Sequence, residues 1–289
     1  MSTFFEFVVR GLLISSPIAF ASLGGVFSEK SGVVNIALEG IMLVTTFAIV
    51  WGALATGSFL GGLLFAVIAG LVMAGIHAVV TVTFKVDQIV SGVAINLLAI
   101  GVGRFLSQNV YGQETQTPFN TYVPPEFLGI NLMAWLLIPM TAIVWFVLFK
   151  TKFGLRLRSV GENPEAADTL GINVTLMQYS GVLLSGVMCA LAATVLYPSQ
   201  WFTGMTGGRG YIALAAMIFG RWHPVGAVAA SLLFGYADTF RVMFEHAIPI
   251  PAQFVQMLPY VLAVVVLAFF AGKAYGPASV GKPYRKGGG

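Results

Sequence analysis

Charge is what this 289-residue chain has least of: Asp, Glu, Lys and Arg make up 9% of it, against about 25% in a soluble domain. Residues 40–84, 127–149, 169–208 and 246–272 contain none of the four. A helix needs about 20 mostly apolar residues to cross the hydrocarbon core of a bilayer, and each of these stretches holds one or two such helices. A soluble fold is excluded. So is a β-barrel, which would alternate polar and apolar residues instead of running through Leu, Ile, Ala and Gly. Cysteine is nearly missing as well. Cys189 stands alone, which excludes an intrachain disulfide and a cysteine-built metal site. A removable signal peptide is not indicated, because Glu6 and Arg10 interrupt the first apolar run. No HExxH, GxSxG or paired-carboxylate constellation sits at a plausible interface, which leaves no enzyme to assign. No phosphate-cradling GxxxxGK[ST] loop occurs either, so the chain has no ATP chemistry of its own.

What is present is apolar: 57% of residues are hydrophobic, and the mean hydropathy is +0.88. The chain reads as an all-α polytopic membrane protein, a single transmembrane domain over 1–289. Its apolar runs fall at 5–27, 36–55, 58–84, 88–108, 131–150, 174–197, 211–220, 224–244 and 254–270. The run at 211–220 covers only about 15 Å at 1.5 Å per residue and predicts a half-helix. Many of the 34 glycines lie inside these runs, where small residues let helix backbones approach closely.

Lys and Arg set the orientation. Loop 109–130 has neither and carries Glu114 and Glu126, so it is placed outside. Segment 150–158 has four basic residues and the tail at 273–289 is basic, so both are placed in the cytoplasm. Counting back puts the N-terminus outside. The net charge of +4 belongs to this topology and not to a nucleic-acid partner. An internal echo runs through "GVVNIALEGIM" (32–42) and "GRGYIALAAMI" (208–218), as expected of transporters built from duplicated halves.

One cytoplasmic loop, 151–173, contains more than topology signals. In "GLRLRSVGENPEAADTLGI" (154–172), Asn163 is placed to cap a helix that Pro164 opens. Glu165 and Asp168 complement its positive end, and Gly171 ends it. A helix of about seven residues is predicted, with Gly161 allowing a close approach. This segment resembles the coupling helix of ATP-binding-cassette (ABC) importer permeases of the branched-chain-amino-acid and ribose-type family. "SGVVNIALEGIML" (31–43), "VDQIVSGVAINLLAIG" (86–101) and "RGYIALAAMIFGRWHPVGA" (209–227) resemble the subset associated with nucleosides.

The resemblance covers about 15–272 and implies a type II importer bundle, like the vitamin-B12 importer, of about 8–10 spans. It implies a prokaryotic plasma membrane protein with three partners: a cytoplasmic ABC ATPase that uses the ATP, a second, related permease, and an extracytoplasmic substrate-binding protein or lipoprotein. No cofactor is expected on this chain. Contact with the ATPase falls to Gly161, Glu162, Asn163, Pro164, Glu165, Ala166, Ala167, Asp168 and Gly171. Ala166, Ala167 and Gly171 form the face that enters a cleft. Simple sugars, riboflavin and branched-chain amino acids are the alternative substrates, and an ion-coupled secondary transporter is the alternative class.

Polar residues within spans are costly and mark candidate pathway or gate positions. Asn35 and Glu39, four apart, are expected on one face of the helix opening "NIALEGIML", as packing or gating groups or as a solvated helix end. Gln88 and Asn96 are expected on the next polar face, with Asn96 deeper. His77 is read as a packed, hydrogen-bonded residue. Asp238 and Arg241 are read as an i,i+3 pair, Arg104 as snorkelling or paired, and "GRWHPVG" (220–226) as a turn anchored by Trp222 or a gate element.

Overall fold

The computed structural model describes residues 3–196, 199–245, 253–254, 257, 261, 264–265, 268 and 276–285. The apolar run expected at 254–270 and the last residues of the tail lie mostly outside them.

Among the described residues eleven α-helices succeed one another: α1 (Thr3–Lys30), α2 (Leu38–Thr56), α3 (Phe59–Ala78), α4 (Gln88–Tyr111), α5 (Leu132–Trp135), α6 (Leu137–Lys150), α7 (Lys152–Glu162), α8 (Pro164–Thr169), α9 (Val174–Leu196), α10 (Arg209–Phe219) and α11 (Pro224–Phe244). A π-helical turn, Val79–Thr83, prolongs α3. Two short antiparallel strands, β1 (Glu126–Phe127) and β2 (Ile130–Asn131), close the loop before α5. Six segments among the described residues are long and apolar enough to cross a membrane: Phe4–Lys30, Leu38–Thr56, Phe59–Thr83, Gln88–Tyr111, Leu132–Lys150 and Val174–Leu196. The half-helix expected from 211–220 is α10, 11 residues long.

Helices α1, α2 and α9 form the centre, and side chains such as Phe20, Leu23, Ile41, Val182 and Cys189 are buried between them. The Cys189 thiol is enclosed there and points at the Leu38 carbonyl. The outer faces of α3, α4 and α6 expose Leu64, Ile68, Leu97, Ile138 and Phe146, as expected of surfaces bathed by lipid. Small residues bring α3 and α9 together. A Cβ on Gly70 would strike the Gly186 carbonyl, and one on Gly186 would strike the Gly70 carbonyl. The two backbones therefore touch, which is how membrane helices gain dispersion contacts without a hydrophobic driving force.

The internal echo has a conformational counterpart. Gly32 and Gly208 occupy the same place in the two motifs, and both have positive φ, 91° and 81°. Beyond these glycines the two motifs diverge. Helix α10 begins directly after Gly208, whereas the chain after Gly32 has no helix until Leu38.

Candidate functional site

Helices α7 and α8 form a corner at one end of the bundle. Thr151 caps α7 by accepting from the Gly154 amide at 3.1 Å. Helix α7 keeps Leu157 and Val160 inside and leaves Lys152, Leu155 and Arg156 in the open. It stops because Pro164 has no amide hydrogen to give and drives the preceding residue into extended backbone; Asn163 has φ −149° and ψ 94°. The Asn163 side chain then accepts from the Ala166 amide at 3.0 Å and starts α8, the helix predicted at this position. Gly171, at φ 77°, ends it, with its amide donating to the Asp168 carbonyl at 2.9 Å.

The face of α8 differs from the sequence expectation. Ala167 turns inward, into a small cluster with Val160, Val174 and Met177. At 2% exposed it is not part of the open face of α8. Six residues are too few for a repeating apolar pattern to tell inside from outside, and Ala166 and Ala167 look alike in sequence. The open face carries Glu162, Asn163, Glu165, Ala166, Thr169, Leu170 and Gly171. Leu170 is 81% exposed, and nothing in the sequence marks it as different from its buried neighbours. Gly161 is buried at the end of α7, where a Cβ would strike the Lys30 carbonyl. The close approach expected of Gly161 is therefore with the end of α1.

Three of the four polar candidates, Asn35, Gln88 and Asn96, meet at the non-helical segment between α1 and α2. Val34 is clamped on both sides: its amide donates to Gln88 Oε1 at 2.6 Å, and its carbonyl accepts from His77 Nε2 at 2.9 Å. Because a carbonyl can only accept, Nε2 carries the hydrogen, and in the neutral ring Nδ1 takes the Ser91 hydroxyl at 3.0 Å. Asn35 Nδ2 donates to Ser185 Oγ at 2.6 Å. Asn96 donates to the Ile36 carbonyl at 3.0 Å and the Tyr211 hydroxyl at 2.9 Å, and accepts from the Gly40 amide at 2.8 Å. Irregular backbone inside a membrane bundle survives only where protein groups satisfy it, and Gln88, His77 and Asn96 do so here for Val34 and Ile36. Asn35 and Glu39 do not share a helical face, since α2 starts at Leu38 and Asn35 precedes it.

Glu39 reaches across to α10. Its Oε1 accepts from the Gly208 amide at 2.9 Å and its Oε2 from the Gly210 amide at 2.7 Å. A carboxylate thus satisfies two free amides at the start of a short helix and complements its positive end. A Cβ on Gly210 would meet the Glu39 backbone, so the capping depends on glycine there. Beyond this cap, Arg209 lies 4.0 Å from Asp238, and Arg241 binds the same carboxylate at 2.7 Å. The expected Asp238–Arg241 pair is thus part of a longer line. Arg104 pairs with Glu114 at 3.7 Å.

The turn between α10 and α11 places Arg221 and Trp222 in succession at φ 57° and 52°, a conformation rare outside glycine and asparagine. Trp222 is buried, and its indole N–H donates to Glu29 Oε2 at 2.6 Å. Glu29, 5% exposed, sits beside Lys30 in the sequence and looks there like an interfacial charge. His223 comes next, its ring 5.2 Å from Phe149. Burial, then the nearby Lys30 charge, hold its pKa below the ordinary histidine value.

Among the described residues no three His, Cys, Asp or Glu side chains gather as a metal site. The geometry is mechanical: a capped, exposed helix joined through α7 and α1 to a braced break in the bundle.

Comparison with known proteins places this geometry. Residues 7–267 match the family described as branched-chain amino acid transport system / permease component. The nucleoside ABC transporter permease protein NupC of Lactococcus lactis subsp. cremoris is 42% identical, over 97% of this chain and 97% of its own length. The guanosine ABC transporter permease protein NupQ of Bacillus subtilis is 43% identical, over 96% and 95%. A second protein of that organism, the guanosine ABC transporter permease protein NupP, is 24% identical over 94% of this chain and 83% of its own. Among solved structures, an ABC transporter in an inward-facing conformation superposes with a TM-score of 0.57 at 15% identity, covering 91% of this chain and 86% of that one. That likeness shows the fold, the type II importer-like helical bundle expected from the sequence. The chain is a multi-pass membrane protein and belongs to the permease component family of branched-chain amino acid transport systems.

Proposed function

We propose that this chain is one of two different permeases that form the pathway of an ATP-driven nucleoside importer in a prokaryotic plasma membrane. The carrying observation is the match, at 42% and 43% identity over nearly the whole length, to two permeases named for nucleoside and guanosine. Bacillus subtilis has two guanosine permease proteins, and this chain is 43% identical to one and 24% to the other. That asymmetry favours a heterologous second permease over a second copy. Helix α8 is the docking element for a cytoplasmic ABC ATPase, which supplies the ATP hydrolysis, and an extracytoplasmic binding protein or lipoprotein delivers the substrate. An ion-coupled carrier would need carboxylates free to take up and release the coupling ion. Here Glu39 is committed to two amides and Asp238 to Arg241, which disfavours that class.

Labelled guanosine uptake tests the reading, with unlabelled nucleosides, glucose, riboflavin and leucine as competitors. Nucleosides alone should compete. Uptake should stop when the partner ATPase is inactivated and persist under a protonophore while ATP is held constant. Uptake driven by an ion gradient without ATP, or displaced by leucine or glucose instead, would overturn it.

A further inference from the structure

The last described stretch, 276–285, is more than a basic tail. Pro164 leaves the Val160 carbonyl of α7 without the amide that a continuing helix would supply. Ser279 closes this end of the helix instead: its hydroxyl donates to the Gly161 carbonyl at 2.6 Å and reaches the Val160 carbonyl, 3.1 Å away, as a second, shared acceptor, and its amide donates to Gly161 at 3.0 Å. The Ala278 amide donates to Glu162 Oε2 at 3.3 Å. Ser279 is itself buried, and a Cβ on Gly32 would come within 2.9 Å of its hydroxyl.

The same short stretch touches two other places. Gly276 lies against the Trp222 indole, and Gly281 faces Val34. Further on, Tyr284 packs on the cluster that holds Ala167, and its hydroxyl bonds the Asp168 carboxylate of α8. One strap therefore joins the α7–α8 corner, the braced break before α2 and the Trp222 turn between α10 and α11. These three elements are otherwise distant in sequence.

We infer that residues 276–285 transmit movement of α8 to the bundle, with Ser279 as the positioning residue that holds the strap to the end of α7. The inference rests on the reading that α8 docks on an ATPase. Rigid transmission needs each junction satisfied, and the Ser279 hydroxyl is the junction that Pro164 makes necessary.

The test uses the full transporter in proteoliposomes, scored per assembled complex so that reduced yield does not enter the ratio. Guanosine moved per ATP hydrolysed is compared for Ser279→Ala, Ser279→Thr and Lys282→Ala. Lys282 is exposed and bonds within the strap, to the Ala278 carbonyl. Ser279→Ala should keep the ATPase bound and hydrolysing but move roughly fivefold less guanosine per ATP, the shift that one lost side-chain hydrogen bond gives. Ser279→Thr, which keeps the hydroxyl, and Lys282→Ala should stay close to the unmodified ratio. An unchanged ratio in Ser279→Ala, or an equal fall in Lys282→Ala, overturns the inference. If the unmodified transporter carries no ATPase, the functional reading fails and takes this inference with it.

Discussion

Glu39 holds Gly208 across the bundle: a carboxylate in the first turn of α2 caps the half-helix α10 at 2.9 Å, joining the two segments whose sequences echo each other. Glu39→Ala should free two amides and leave the positive end of α10 uncompensated, lowering stability by about 1–2 kcal/mol. Glu39→Gln keeps one acceptor and should lose less. The denaturation midpoint of the detergent-solubilised protein measures both, and equal midpoints for Glu39→Ala and the unmodified chain would exclude a capping role.

The open face of α8 predicts an order of effects on ATPase capture. Ala166→Trp should block co-purification, because a packed interface tolerates added volume poorly. Leu170→Asp should weaken it, since a large side chain left 81% exposed beside that helix is a natural contact. Glu165→Lys should cost less, as exposed ion pairs are worth about 0–1 kcal/mol. Ala167→Trp should act differently, by overfilling the cluster with Val160, Val174 and Met177 and lowering yield. Full capture and uptake with Ala166→Trp would reduce α8 to a loop that merely sets topology.

Two glycines inside helices should answer oppositely to alanine. Gly186→Ala drives a Cβ into the Gly70 carbonyl and should destabilise the bundle by about 1–3 kcal/mol as α3 and α9 separate. Gly101→Ala meets nothing within 4 Å in the middle of α4 and should be neutral, or stabilise by about 0.5–1 kcal/mol through helix propensity. Paired thermal denaturation of the two variants decides, and a reversed order would refute the α3–α9 backbone contact.

Acid should weaken the corner at His223. Its pKa is lowered in the folded protein, so the unfolded chain binds the proton more readily. Stability is therefore full above the ordinary histidine pKa and declines as the pH falls toward the lowered value. The effect should be small, because His223 is only partly buried. Denaturation midpoints at neutral and mildly acidic pH should differ less in His223→Gln than in the unmodified protein.

Much of this is legible in the sequence. Long uncharged runs place the helices almost residue by residue, because the bilayer leaves few alternatives. Helix α8 is legible from Asn163, Pro164 and Gly171, whose backbone preferences are local. What escapes reading depends on partners distant in sequence. Glu29 looks like an interfacial charge until Trp222 is brought against it. Ser279 looks like part of a tail until Pro164 leaves Val160 without a donor. Asn35 and Glu39 have the spacing of one helical face, although Gly32 already signals a chain that turns first. Asn96 and Gln88 stand out in sequence as polar residues inside the bundle, yet their partners are backbone groups of the break, which no periodicity reveals.

The enclosed thiol of Cys189 has a practical meaning. A thiol reacts through an accessible thiolate, and this one is sealed between central helices. In the folded protein it should therefore stay silent toward maleimides. A cysteine placed at the exposed Arg156 of α7, outside the face proposed to dock, would then be the one reactive handle on the molecule, ready for a fluorophore or spin label without any background mutation. Movements of the α7–α8 corner can be followed in a chain that differs from the natural one at a single side chain.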